Sequence, residues 1–101
     1  MQVVAKRTLV AFWERNPQAR SSLSAWHHIV EKSNWAGPAD VKAQFGAAVD
    51  FVSDNRLIYD ISGNKYRLIV HVSYVYKSVL IKFVGTHADY DKIDPATVRT
   101  R

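Results

Sequence analysis

Arg67, Lys82, His87 and Tyr90 are the residue types needed to cut RNA without a metal ion. RNA carries its own nucleophile, a 2′-hydroxyl that attacks the neighbouring phosphorus. A protein catalyst must therefore hold the backbone in line, stabilise charge on the phosphorane and move protons. Arginine meets phosphate oxygens as a bidentate fork, and lysine supplies a point charge. Histidine serves as acid or base near neutrality. Tyrosine exchanges a proton, stacks on a base or orients a neighbour. Singly, each is as readily an ordinary surface residue. Their weight comes from the sequence around them, which brings all four to one edge of a basic sheet face.

That positioning is set by residues 64–92. Two β-branched and aromatic strands, 65–75 and 78–85, are expected to meet at a tight turn at Tyr76-Lys77. Side chains alternate along a strand. Tyr66, Leu68, Val70, Val72 and Tyr74 thus share one face, and Lys65, Arg67, Ile69, His71 and Ser73 the other. A two-residue turn sets Val75 opposite Ser78, His71 opposite Lys82 and Arg67 opposite Thr86. Val79, Ile81 and Phe83 then join the apolar face, and Lys82 joins Arg67 and His71. Upstream, Arg56 to Ile61 reads as a strand and Ser62-Gly63-Asn64 as a turn, which sets Asp60 opposite Arg67 and Arg56 opposite His71. Asp60 is then a partner for Arg67 or Lys65. Downstream, Thr86 is an N-cap for a short helical turn in which His87 and Tyr90, three apart, share a side. A cationic sheet face of this kind is either the solvated side of an antiparallel sheet or a surface for an anionic ligand.

The rest of the chain supplies what must cover the apolar face. Met1 to Val4 is a candidate edge strand. A helix follows from Ala5, with Leu9, Phe12 and Trp13 at helical spacing. Asn16-Pro17 reads as a stop and a new start, Asn as N-cap and Pro at the first helical position. The second helix is expected over 17–33 with Leu23, Trp26 and Val30 buried, forming an antiparallel hairpin with the first. A third, short helix spans 39–45, and a short strand lies near 49–52. The 101 residues suit a single domain, with 95–101 expected as a flexible tail.

Composition narrows the classes. The chain has no cysteine, which excludes thiol catalysis and cysteine-ligated zinc and favours a cytoplasmic protein over a small secreted scaffold. It has neither an apolar run long enough to span a membrane nor a signal-peptide core, so no membrane association is expected. Net charge is +5, from 14 basic and 9 acidic residues spread along the chain, which favours acidic partners. His27 and His28 are adjacent, so on a helix they diverge by about 100° and do not chelate one ion. Asp89, Asp91 and Asp94 read as a solvated acidic turn rather than a calcium loop. Glycines are scattered, without a phosphate loop or a nucleophile elbow. Neither a metal nor a cofactor is expected.

LVAFWER (9–15), PADVKAQ (38–44), NKYRLIV (64–70) and, most specifically, FVGTHADYDKID (83–94) resemble the HigB-type toxins of bacterial toxin–antitoxin systems, within the RelE-like superfamily. The resemblance covers nearly the whole chain. It implies an α+β fold with two N-terminal helices on one face of a twisted, mainly antiparallel sheet of about four strands. It also implies an mRNA interferase acting on messages at the ribosome, neutralised by a helix-turn-helix antitoxin of the HigA type. By position, Arg67 resembles a strand arginine that contacts the scissile phosphate, and Lys82 a basic residue on the next strand. His87 and Tyr90 fall where related toxins place a proton-transfer residue, and Asp91 is a candidate to orient His87. Arg56, Lys65, His71 and Lys92 are candidates for contact with message or ribosomal RNA. The rival readings are a module of the same fold that binds RNA or ribosomes without cutting, and a structural partner of an acidic protein.

Overall fold

A computed structural model describes residues 1–99. Its order is β1 (Gln2–Val4), α1 (Lys6–Arg15), a 3₁₀ turn (Pro17–Ala19), α2 (Arg20–Glu31), α3 (Pro38–Phe45), a second 3₁₀ turn (Gly46–Ala48), β2 (Val49–Val52), β3 (Arg56–Ile61), β4 (Tyr66–Ser73), β5 (Ser78–Thr86) and α4 (His87–Tyr90). The five strands form one sheet in the order β1-β5-β4-β3-β2, antiparallel except where β1 runs parallel to β5. The fold is α+β, with one strand more than expected because both short candidates, at 2–4 and 49–52, pair at opposite edges.

The expected helix stripes are the ones that close the core. Leu9 and Phe12 of α1, and Leu23, Trp26 and Val30 of α2, are buried against Leu57, Tyr59, Leu68, Val70, Val72, Val79 and Ile81 of the sheet. Edge-to-face ring pairs, Phe12 with Tyr66 and Trp26 with Tyr59, each at 5.5 Å, tie the helices to the strands. The Asn16 side chain does not cap the second helix. It donates backward to the Phe12 carbonyl (3.2 Å), closing α1, and the chain from Pro17 makes a 3₁₀ turn before α2 begins at Arg20. The Asn16 backbone N–H donates to the same carbonyl (2.9 Å), so main chain and side chain together close the last turn of α1.

His27 is buried on α2, with Nδ1 3.4 Å from the Glu31 carboxylate, whereas His28 is exposed. Burial lowers the His27 pKa from its ordinary 6.5, with Lys6 and His28 acting the same way and Glu31 opposing them. The unfolded chain therefore takes up this proton more readily than the folded one, so protonation favours unfolding. The associated stability is complete above pH 6.5 and falls as pH drops from there toward the depressed folded value. His27→Gln should flatten that part of a Tm-against-pH curve, and an unchanged slope would assign it elsewhere.

Two registers decide the functional face. Between β3 and β4 the pairing is as expected: Asp60 opposite Arg67, Ile58 opposite Ile69 and Arg56 opposite His71. Ser62 (φ 55°), Gly63 (φ 60°) and Asn64 (φ 79°) take the left-handed conformations that turn the chain there. Between β4 and β5 the two-residue turn is wrong. The last pair is Ser73 with Ser78, so Tyr74 to Lys77 form the connection, and His71 faces Leu80 instead of Lys82. The register then shifts by one residue at a bulge: Val70 faces Ile81, Ile69 faces Phe83, Arg67 faces Gly85, and Lys82 is the unpaired extra residue. The slip moves Phe83 off the helix-covered face, and Val84 takes its place against the core.

The face away from the helices is not uniformly wet. Ile58 and Ile69 are buried there, and so is Arg56. Arg56 Nη1 donates to the carbonyls of Pro95 (3.1 Å) and Val98 (2.7 Å), bringing the stretch beyond α4 back to the sheet. The sequence predicts a flexible tail over 95–101, and residues 100 and 101 lie outside the described residues.

Candidate functional site

Arg67 lies near the end of the sheet face that continues into α4, and three elements hold it. From β3, the Asp60 carboxylate meets Nη1 at 2.6 Å; from the β3–β4 turn, the Asn64 side-chain oxygen accepts from the same nitrogen. From α4, the Tyr90 ring lies under the guanidinium, 5.5 Å from centroid to Cζ, a cation–π distance. Also from α4, His87 Nε2 sits 3.0 Å from Nη2. Arginine only donates hydrogen bonds, so in this contact Nε2 is the acceptor. Among the described residues, these contacts leave the Arg67 Nε–H and one Nη2–H free, and the side chain is only 15% exposed. It is a fixed fork with an unused edge.

The short helix that supplies His87 and Tyr90 is held by a complete capping box. Thr86 Oγ1 accepts from Asp89 N–H (3.2 Å), and Asp89 Oδ2 accepts from Thr86 N–H (3.1 Å). Asp89, counted above as part of an acidic turn, is thereby committed to the cap. Asp91 meets His87 through the backbone, its N–H to the His87 carbonyl at 3.1 Å; the residue that orients the imidazole is Arg67. Thr86→Val removes half of this box and should cost about 1 kcal/mol. It should also lower activity more than stability, because the turn that aims His87 loosens. Thr86→Ser should keep both, which a thermal melt beside a cleavage assay would show.

The structure therefore brings together three of the four expected catalytic residues, Arg67, His87 and Tyr90. It does not join Lys82 to them: among the described residues, no hydrogen bond or ion pair links Lys82 to the cluster. Lys82 sits at the bulge, on the border of two clefts. The residues expected to touch RNA also separate. Arg56 is buried and engaged with backbone carbonyls, and His71 Nε2 lies 3.6 Å from the exposed Asp54 carboxylate. Lys65 is exposed at the β3–β4 turn, and Lys92, also exposed, lines the cleft beside α4. Asn64 was legible only as a turn residue. Its contribution to Arg67 follows from that turn, which carries the amide to the strand position three residues on.

A family model described as HigB toxin, the RelE-like toxic component of a toxin–antitoxin system, matches residues 19–93. The chain belongs to the HigB toxin family. Among HigB relatives, the mRNA interferase HigB of Escherichia coli O6:H1 is 22% identical over 94 residues, covering 92% of this chain and 91% of the relative. The mRNA interferase HigB of Shigella flexneri is 26% identical over 92 residues, covering 90% and 88%. The match spans both the helical layer from the 3₁₀ turn onward and the entire Arg67–His87–Tyr90 cluster. No helix among the described residues is long and apolar enough to cross a membrane.

Proposed function

We infer that this HigB-family chain is the toxin of a type II toxin–antitoxin pair and cleaves mRNA through 2′-hydroxyl attack at the Arg67–His87–Tyr90 cluster. The observation that carries the reading is the contact between Arg67 and His87: a fixed cation with a free donor edge beside an imidazole nitrogen that has a lone pair. The free edge of Arg67 suits two non-bridging oxygens of the scissile phosphate and the charge that grows on them in the phosphorane. As the phosphate binds Arg67, the 2′-hydroxyl displaces the guanidinium from His87 Nε2, and that nitrogen takes its proton as the oxygen bonds to phosphorus. The P–O5′ bond breaks as the Tyr90 hydroxyl protonates the departing 5′-oxygen. Solvent returns a proton to Tyr90 and removes the one on His87, and the products are a 2′,3′-cyclic phosphate and a 5′-hydroxyl. Tyr90 fixes the guanidinium from below and offers its hydroxyl and ring to the reacting nucleotide. Lys82 adds positive charge along the approach. None of these steps calls on a metal or cofactor.

The relatives' printed activity, mRNA interferase, supports the substrate class, and the family supports an antitoxin partner. Action on translating ribosomes in the cytoplasm, and neutralisation by a helix-turn-helix antitoxin of the HigA type, extend the same reading. Primer extension on a reporter message in translating extract tests the ribosomal part. New 5′ ends in phase with codons that vanish when translation is blocked are the expected result. Ends that persist without ribosomes would move the cleavage to free RNA, and no ends from folded, antitoxin-free protein would leave a module that binds without cutting.

A further inference from the structure

The cations that the Arg67 cluster does not use gather at a second place. Where β1 leaves the sheet after Val4, Ala5 takes a left-handed conformation (φ 71°) and turns the chain straight into α1. A cleft of about 890 Å³ opens there, and its described lining includes Lys6, Arg7, Arg56, Lys82 and Arg99 but no carboxylate.

Three observations make this more than a solvated basic patch. The start of α1 is electrostatically inverted. A helix N-terminus is the positive end of the macrodipole and favours acidic residues in its first turn. Here the first turn has none, begins Lys6-Arg7, and is preceded by an alanine that makes no side-chain cap. The first-turn N–H groups and two cations thus share one end of the helix, an arrangement that a bound anion relieves. The second observation is Arg56. It is 7% exposed, it lines the cleft, and its Nε has no hydrogen-bond partner among the described residues, although Nη1 is engaged by two carbonyls. Among the described residues Arg56 meets carbonyls and no carboxylate; a buried charge without a counter-ion is costly, and an anion in the cleft supplies one. The third is continuity. Lys82 and Arg99 also line a neighbouring cleft of about 450 Å³, together with Arg15, Lys92 and Asp89, and Asp89 belongs to the helix that carries His87 and Tyr90.

We propose that the cleft at the start of α1 is a second phosphate site, holding the backbone of the RNA strand cut at Arg67 and His87, away from the scissile bond. The identity of the strand rests on the nuclease reading; the binding of phosphate does not. A single strand repeats its negative charge at every nucleotide, and a groove lined from α1 to α4 by Lys6, Arg7, Lys82, Lys92 and Arg99, with Asp89 as its one described carboxylate, follows such a backbone. An isolated acidic side chain of a protein partner would use only one end of it.

The test is fluorescence anisotropy with a labelled 2′-O-methyl RNA, which 2′-hydroxyl attack does not cut, across a salt series. Wild type is compared with Lys6→Gln/Arg7→Gln and with the charge-matched control Arg20→Gln/Lys32→Gln, all substituted residues being exposed. The first pair should weaken binding about tenfold near 0.1 M salt and reduce the slope of log K against log salt by about 1.4, roughly 0.7 per lost phosphate contact. The control pair should stay near wild type. Inorganic pyrophosphate should raise the Tm of wild type and control but not of Lys6→Gln/Arg7→Gln. RNA affinity and slope unchanged in that variant would overturn the proposal. So would a variant that loses only antitoxin binding, because the cleft would then belong to a protein partner. Cleavage of an ordinary message by wild type is scored in parallel. Cutting without phosphate binding in the cleft removes the second site alone, and phosphate binding without cutting removes the nuclease alone.

Discussion

Arg67→Ala should lower message cleavage by about 10³-fold, the upper range for removing a preorganised donor to a transition-state oxyanion. The effect has two parts. The fork that meets the phosphorane is lost, and so is the hydrogen bond that holds His87 Nε2 as an acceptor. The fold should survive. Asp60, at 32% exposure, is rehydrated once Arg67 is gone, so the loss of this charged hydrogen bond costs about 1–3 kcal/mol. Arg67→Lys should recover little of the activity. An ammonium keeps the charge but does not reach Asp60, Asn64, His87 and a phosphate with one planar group. Near-wild-type cleavage by a folded Arg67→Ala protein would take the residue out of the mechanism.

Gly85→Ala should damage both stability and activity, although nothing about the Gly85 backbone calls for glycine. The constraint is space. A Cβ built at Gly85 falls 2.6 Å from Phe83 Cζ, 2.9 Å from Asp89 Cβ and 3.2 Å from Asp89 Oδ2. The last two atoms belong to the side chain that completes the cap of α4, and Gly85 pairs directly with Arg67. The methyl group therefore pushes α4 away from the strand that α4 must serve. Overpacking of this kind costs about 1–3 kcal/mol, which for a domain of this size lowers Tm by about 4–8 °C per kcal/mol. Cleavage should fall by about 10²-fold even at temperatures where the variant stays folded, because a displacement near 1 Å between catalytic groups is enough. A wild-type Tm and rate would show that the close approach at Gly85 relaxes without consequence.

What the sequence revealed and what it hid follow from how local each signal is. The β3–β4 register was legible because Gly63-Asn64 marks the turn by residue type, and from it follow the pairing of Asp60 with Arg67 and one wall of the site. His87 and Tyr90 were legible as a pair because three-residue spacing behind a capping Thr86 is local information. The β4–β5 turn carries no glycine, proline or asparagine, and Lys77 takes the left-handed conformation (φ 56°) without a signal in its residue type. The bulge at Lys82 is equally silent, so Lys82 could not be separated from the cluster nor Phe83 assigned to the correct face. Strand alternation predicts Arg56 on the cationic face and gives no information on its partners, the carbonyls of Pro95 and Val98, about forty residues away. The cations of the α1 cleft were hidden for the same reason. Lys6, Arg7 and Arg99 come from opposite ends of the chain and meet only after β1 has paired with β5.

The chemistry at Arg67 and His87 is tested most directly by the ends it leaves. A message cleaved by wild-type protein can be assayed for its 3′ and 5′ termini by mass spectrometry of the released fragments, with Arg67→Ala and His87→Ala as controls. Attack by the 2′-hydroxyl predicts a 2′,3′-cyclic phosphate and a 5′-hydroxyl at each cut, with fragments nearly absent for both variants. A 3′-hydroxyl with a 5′-phosphate would contradict it, since those ends require water rather than the 2′-hydroxyl as the nucleophile.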